Sequence, residues 1–164
     1  MTININYKNN SPKKPTTNLV LFVEEDFNIV GLKKYLSNIE FSYISDLLKN
    51  SDLKKNLLSF DVNSKKTIFF ISVKKNLENS DIESLGAEFH DYINHNKKSE
   101  YFINSDSVSK KFENFLGYFL HGLKLKSYEF NIYKSKNNKK TISINVIGNK
   151  NKITSQHELR FRAI

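Results

Sequence analysis

Apolar positions along the chain switch between two periodicities, and each switch marks an element. Ile3, Ile5 and Tyr7 alternate with polar residues, the period-two pattern of a half-exposed strand. Asn9 to Thr16, with Pro12 and Pro15, reads as a loop. Leu19 to Val23 is an unbroken apolar run, as expected of a strand covered on both faces. Asp26 is placed to cap a short helix on which Ile29, Leu32 and Leu36 share a face. Ser42 to Leu58 predicts a second helical stretch around Ile44, Leu47 and Leu48. Thr67 to Val73 is again continuous, and its lack of alternation predicts a central strand.

The second half repeats the theme. Ser80, with Glu83 three residues on, forms the capping-box pattern ahead of a stripe at Ile82, Leu85, Phe89 and Tyr92/Ile93. Glu100 to Asn104 is a short strand. Val108, Phe112, Phe115, Leu116, Phe119, Leu120 and Leu123 define the strongest helical stripe. Ser127 to Tyr133 alternates and predicts a strand. Lys134 to Lys140 is a basic, Asn-rich loop between strands, and Thr141 to Ile147 is a last strand with Ile142, Ile144 and Val146 on one side. Beyond Gly148 a polar turn leads into a helix begun at Ile153 to Ile164. Strand and helix alternate for most of the length, which predicts a three-layer α/β domain with a mixed sheet.

Charge and composition change this picture little. The net charge is +9, but only Arg160 and Arg162 are arginines, and the lysines are spread as pairs from Lys13-Lys14 to Lys139-Lys140. Lys, Asn and Ile are the residues of AT-rich codons, so this basicity reads as codon bias more than as a nucleic-acid footprint. The absence of cysteine excludes disulfides and thiolate metal sites. Neither an export signal nor an apolar membrane span is visible, which leads us to expect a cytoplasmic protein.

Catalytic chemistry is hard to find. His90 and His95 are five apart on one helix and diverge by about 140°, so they cannot make the i, i+4 pair of a helical metal site. His90, beside Glu88 and Asp91, is expected on a solvated face. His121 lies next to an apolar stripe as a packing or interface residue, and His157 has no partner in sequence. Glu24-Glu25-Asp26 ends a strand, where α/β folds keep their sites, and is the best internal candidate for a cation. Three acids at a strand-to-helix turn more often serve as cap and dipole partners. With glycine only at 31, 86, 117, 122 and 148, no phosphate loop can be written. Gly117 and Gly122 suggest close helix packing or a cap. The run Leu123 to Lys136 interleaves lysines with Tyr128, Phe130 and Tyr133, as a nucleic-acid strip would, or as a strand turning its aromatics inward.

That same run carries a resemblance. Gly117 to Lys136 resembles the end of the N-terminal domain of leucyl aminopeptidases (cytosol aminopeptidases), in which a helix runs into a Gly-x-x-Leu-x-Ser/Tyr-Tyr-x-Phe-x-x-Tyr-Lys pattern. Gly122, Leu125, Tyr128, Phe130, Tyr133 and Lys134 match it in a structural capacity. One departure is that the family's central strand usually ends Gly-Leu-Gly, whereas this one ends Ser72-Val73-Lys74.

The resemblance implies a three-layer α/β/α, macro-domain-like fold over residues 1–152, with 153–164 opening the linker helix towards a catalytic domain. In the family that second domain binds two divalent metals, usually Zn or Mn, and releases N-terminal residues from peptides. Its Asn-Thr-Asp-Ala-Glu-Gly-Arg signature does not occur here, so no catalytic, metal-binding or cofactor-binding residue carries over, and this chain alone is expected to have no activity and no cofactor. The partners implied are the catalytic domain and the other subunits of a homo-hexamer, with the N-terminal domain serving assembly and active-site access. No membrane partner is expected. The alternative is a stand-alone macro-like nucleotide- or nucleic-acid-binding module.

Overall fold

The computed structural model describes residues 2–8, 18–95, 98–108, 115–133 and 141–147. Six strands form one sheet: β1 (Thr2–Lys8), β2 (Leu19–Glu24), β3 (Leu57–Asp61), β4 (Thr67–Val73), β5 (Glu100–Asn104) and β6 (Thr141–Ile147). Their order is β1-β6-β5-β2-β4-β3, parallel throughout except that β3 runs antiparallel to β4. The sheet is therefore mixed, as the alternation of elements predicted, and the fold is α/β.

Two apolar clusters sit on opposite faces. One packs Val20, Phe22, Phe69, Ile71, Tyr101, Ile103, Ile142 and Ile144 against α2 (Asn79–His95) and α3 (Phe115–Tyr133). The other packs Leu21, Val23, Ile68 and Phe70 against the 3-10 helix Val30–Tyr35 and α1 (Asn38–Leu48). Every residue of β4 is buried, as its unbroken apolar run required. Aromatic edges close the first cluster: Phe22 meets Phe115 and Phe119 at 5.3 and 5.4 Å between centroids. Phe69, Phe89 and Tyr101 form a triangle at 5.8 to 6.0 Å, within the range of favourable edge-to-face pairs.

Several boundaries depart from the sequence pattern. The stretch from Ser42 to Leu58 does not stay helical. α1 begins earlier, with a reciprocal capping box between Ser37 and Glu40, and ends at Leu48. The residues after the turn at Ser51 then form the edge strand β3. Asp26 is not a helix cap: its carboxylate accepts the Asn28 N–H at 3.1 Å, and a 3-10 helix follows. Ile29, Leu32 and Leu36 are nonetheless buried together. Ser80 lies inside α2 and not at its cap: the Glu78 N–H donates to the Asp81 carboxylate at 3.0 Å, leaving Glu83 for another role. Val108 belongs to the core ahead of α3, and Phe112 lies outside the described residues.

The largest correction concerns 127–133. These residues continue α3 and are not a strand. Leu123 is buried while Leu125 is 48% exposed, and the next buried position is Ser127. That is the spacing of a helix, and the Leu-Lys-Leu-Lys alternation over it is coincidental. The loop 134–140 and the segment 153–164, including His157, lie outside the described residues.

Asn18 pins the amino end of the sheet. Its buried amide donates to the Glu100 carbonyl at 3.0 Å and accepts the Thr67 N–H at 3.0 Å, while its own carbonyl accepts from Phe102 at 2.8 Å. One side chain thereby ties β2 to both neighbours.

Candidate functional site

At the other end β2 and β5 separate. Their ladder holds only at Leu19↔Phe102 and Val20↔Ile103, whereas β2 and β4 pair through to Glu24↔Val73. The chain leaves β2 towards one face and β5 towards the other, so this is a topological switch point, where open α/β sheets hold their crevice. Ser107 spans the gap: its hydroxyl accepts the Phe22 N–H at 3.0 Å and donates to the Asn104 carbonyl at 2.7 Å. Ser105 donates to the Ile147 carbonyl at 2.9 Å and fixes the same turn to β6.

A cavity of about 370 Å³ opens here, lined by Phe22, Val23, Glu24, Asp26, Asn28, Leu32, Lys34, Val73, Asp106, Ser107 and their neighbours. Its near wall is the turn after β2. Phe27 donates its N–H to the Glu24 carbonyl at 2.9 Å and holds φ at 53°, the left-handed region that a bulky residue seldom enters. Burial of its ring in the second cluster keeps it there. Asn28 then accepts the Val30 N–H at 3.0 Å, so successive side-chain turns lead into the 3-10 helix.

Among the described residues the lining sets three carboxylates, Glu24, Asp26 and Asp106, against one ammonium, Lys34, a balance that disfavours a phosphate. Gly31 is a lining residue, but a methyl group added there would meet nothing within 4 Å, so the glycine is not making room for packed atoms. Among the described residues no three His, Asp or Glu side chains converge on one ion position. The acids at 24 and 26 thus face a shared cavity but do not form a metal cluster.

The histidines behave differently from their sequence pattern. His90 is fully buried and does not lie on a solvated face, with Nδ1 3.8 Å from the exposed carboxylate of Asp91. Burial holds its pKa below the ordinary histidine value, although Asp91 pulls the other way. His121 pairs through Nδ1 with Glu83 Oε1 at 2.9 Å, joining α3 to α2. His95 is exposed at the end of α2.

Of the motif residues, Gly122 has a defined mechanical role. A Cβ there would lie 2.0 Å from the Glu83 carbonyl oxygen. At Gly86 it would lie 2.0 Å from that of Phe119. Each glycine lets the other helix's backbone close in, which fulfils the expectation of close packing at Gly122. Leu125 and Tyr128 are exposed on α3, Tyr128 by 59%. Phe130 and Tyr133 fall within the α3 backbone, and Lys134 lies outside the described residues. None of the described motif residues lines the cavity. The reading of this segment as a strand is therefore wrong, and Tyr128 faces outward on a helix instead of packing inward.

The sheet order and layering define an α/β fold, one that is similar to part of a leucine aminopeptidase. A point mutant of tomato leucine aminopeptidase superposes with a TM-score of 0.63 at 13% identity, covering 98% of this chain and 36% of that one. The likeness is one of fold, and the chain spans about a third of the tomato chain's length. No family model matches the sequence, and no curated protein matches it. No helix among the described residues is long and apolar enough to cross a membrane.

Proposed function

We propose that this chain is the non-catalytic N-terminal domain of a leucyl-aminopeptidase-like enzyme, serving hexamer assembly and access to active sites that another domain carries. The observation behind this reading is the superposition on the tomato enzyme, nearly complete for this chain yet confined to 36% of the other. The family pattern at Gly122 gives further support, because that glycine seats α3 against α2. The parent reaction would be metal-dependent release of N-terminal amino acids from peptides in the cytoplasm. The two divalent ions, Zn or Mn, would be held by the other domain. The described residues offer no such ligand set, and no step of the reaction is assigned to them.

The test compares the product of the complete gene with the 164-residue chain, each supplied with Mn or Zn, for hydrolysis of a leucyl anilide and for mass in solution. A hexamer whose activity is lost on chelation, with an inactive isolated chain, is expected. A gene that encodes no metal-ligand motif after Ile164, or peptide hydrolysis by the chain alone, overturns the proposal.

The position of the cavity favours a second reading, a macro-like nucleotide-binding module. Its acidic lining works against that reading. Calorimetric titration with ADP-ribose and with single-stranded oligonucleotides should show no saturable heat, and micromolar binding of either would favour the module instead.

A further inference from the structure

Among the described residues no strand pairs with the outer edge of β1, which ends the sheet. The opposite edge, β3, carries devices that discourage pairing: it is five residues long, ends at Asp61, and is flanked by Lys54-Lys55 and Lys65-Lys66. β1 shares only the terminal charge, Lys8, and is longer than β3. It keeps a seven-residue register with β6 from Thr2↔Thr141 to Lys8↔Ile147, without bulge or proline, and its one charge is at its end. Ile3, Ile5 and Tyr7 are half-buried against the α2/α3 core, while Asn4 and Asn6 are exposed on the other face. The strand is thus an amphipathic, nearly uncharged template for another strand.

We propose that the outer edge of β1 is a homodimer interface, in which two copies pair β1 to β1, antiparallel, about a two-fold axis at Ile5. The strand complements itself in this register. Ile5 faces its own copy, Ile3 faces Tyr7 of the second copy, and Asn4 faces Asn6. An isoleucine opposite a tyrosine is the β-branched and aromatic combination that stabilises antiparallel pairs. Lys8 faces Thr2, so the two lysines lie at opposite ends of the ladder and do not repel. A two-fold axis through the sheet normal keeps both helical layers on their own sides, and two six-stranded sheets become one of twelve strands. The contact closes on itself, which protects the edge from open-ended assembly. This inference does not depend on the aminopeptidase reading.

The experiment is sedimentation equilibrium of the 164-residue chain from about 5 to about 500 μM, a range suited to weak association. The weight-average mass should climb from 19.2 kDa towards twice that value. Two double variants then test the register. Asn4→Lys with Asn6→Lys sets like charges opposite each other twice and should weaken the dimer by at least about tenfold. Asn4→Lys with Asn6→Glu sets opposite charges at the same two pairs and should restore it. Both sites are exposed, and matching circular dichroism spectra confirm that each variant folds. A constant mass of 19.2 kDa for the unaltered chain overturns the proposal. So does equal association of the two variants.

Discussion

Replacing Gly122 with alanine tests how α2 and α3 meet. On an isolated helix the change stabilises, because glycine is worse than alanine by about 1 kcal/mol. Here the new methyl would sit 2.0 Å from the Glu83 carbonyl oxygen and 2.6 Å from its carbonyl carbon and Cα, where ordinary contact begins at 3.4 Å. These are backbone atoms of a helix packed on a sheet, and no rotamer can relieve the overlap. The helices must part by about 1 Å, which also loosens Phe89 and Phe119, whose rings lie 5.7 Å apart between them. Overpacking a tight core costs about 1–3 kcal/mol and occasionally more. A clash against rigid backbone belongs at the upper end, so after the propensity gain a net loss of about 2–3 kcal/mol remains. For a domain of this size that lowers the melting temperature by roughly 5–10 °C.

Gly86 supplies the internal check, since its methyl would lie 2.0 Å from the Phe119 oxygen and 2.8 Å from the Leu123 nitrogen. Gly86→Ala should cost a similar amount. Once one methyl has forced the helices apart, the second meets less resistance, so the double variant should lose about 1 kcal/mol or more less than the two single losses together. Gly31→Ala is the control, and it should change stability by less than about 0.5 kcal/mol because nothing lies within 4 Å. Urea unfolding followed by circular dichroism measures all four. If Gly122→Ala melts at or above the unaltered chain, the close crossing is wrong.

The other predictions concern buried polar groups. Asn18→Ala strands the Thr67 N–H and the Glu100 carbonyl and should cost about 2–4 kcal/mol by urea midpoint, well above a surface substitution. Glu40, which burial pushes up, is held below its ordinary pKa by the Lys66 ammonium at 2.8 Å and by the Ser37 cap. A depressed carboxylate stabilises above its unfolded pKa of 4.5, and that stability is lost as pH falls through the folded value. Lys66→Met should therefore cost about 1–2 kcal/mol at pH 7 and much less near pH 3. Burial disfavours the charged form of His90, so the unfolded chain binds its proton first as pH falls. Stability should be full above pH 6.5 and decline as pH falls below it, and His90→Leu should flatten that slope in urea melts between pH 5 and 8.

What the sequence disclosed depended on how many physical constraints bore on each residue. β2 and β4 were legible because burial on both faces leaves an unbroken apolar run, and few other elements do. β3 was not, because one end of Leu57–Asp61 continues the apolar spacing of α1. Only the turn-forming Asn50-Ser51-Asp52 between them, with Ser51 donating to the Leu47 carbonyl at 2.7 Å, signals the break. His90 was misplaced because its flanking residues Glu88 and Asp91 are exposed, yet its own position falls one step from Phe89 on the buried side of α2. A polar residue on a packed face has no local signature.

The cavity was half legible for a related reason. Glu24 and Asp26 could be placed at the end of a strand, and the general rule for α/β sheets assigned that end to a site. Asp106 and Ser107 complete the crevice only because β5 lies beside β2, a neighbour relation across more than 80 residues that no local pattern encodes. The run at 123–133 failed in the opposite direction, with too much local pattern. Its alternating leucines and lysines imitate a strand, while Leu116, Leu120, Leu123 and Ser127 carry the helical spacing beneath. Packing decides between the two: as a helix the segment buries Leu123 and Ser127 and lets Gly122 meet α2. As a strand, with side chains alternating between two faces, it could not set Ser127 on the buried side in helical step with Leu123 and Leu120. The glycine, the smallest residue in the motif, is the one whose placement the whole crossing requires.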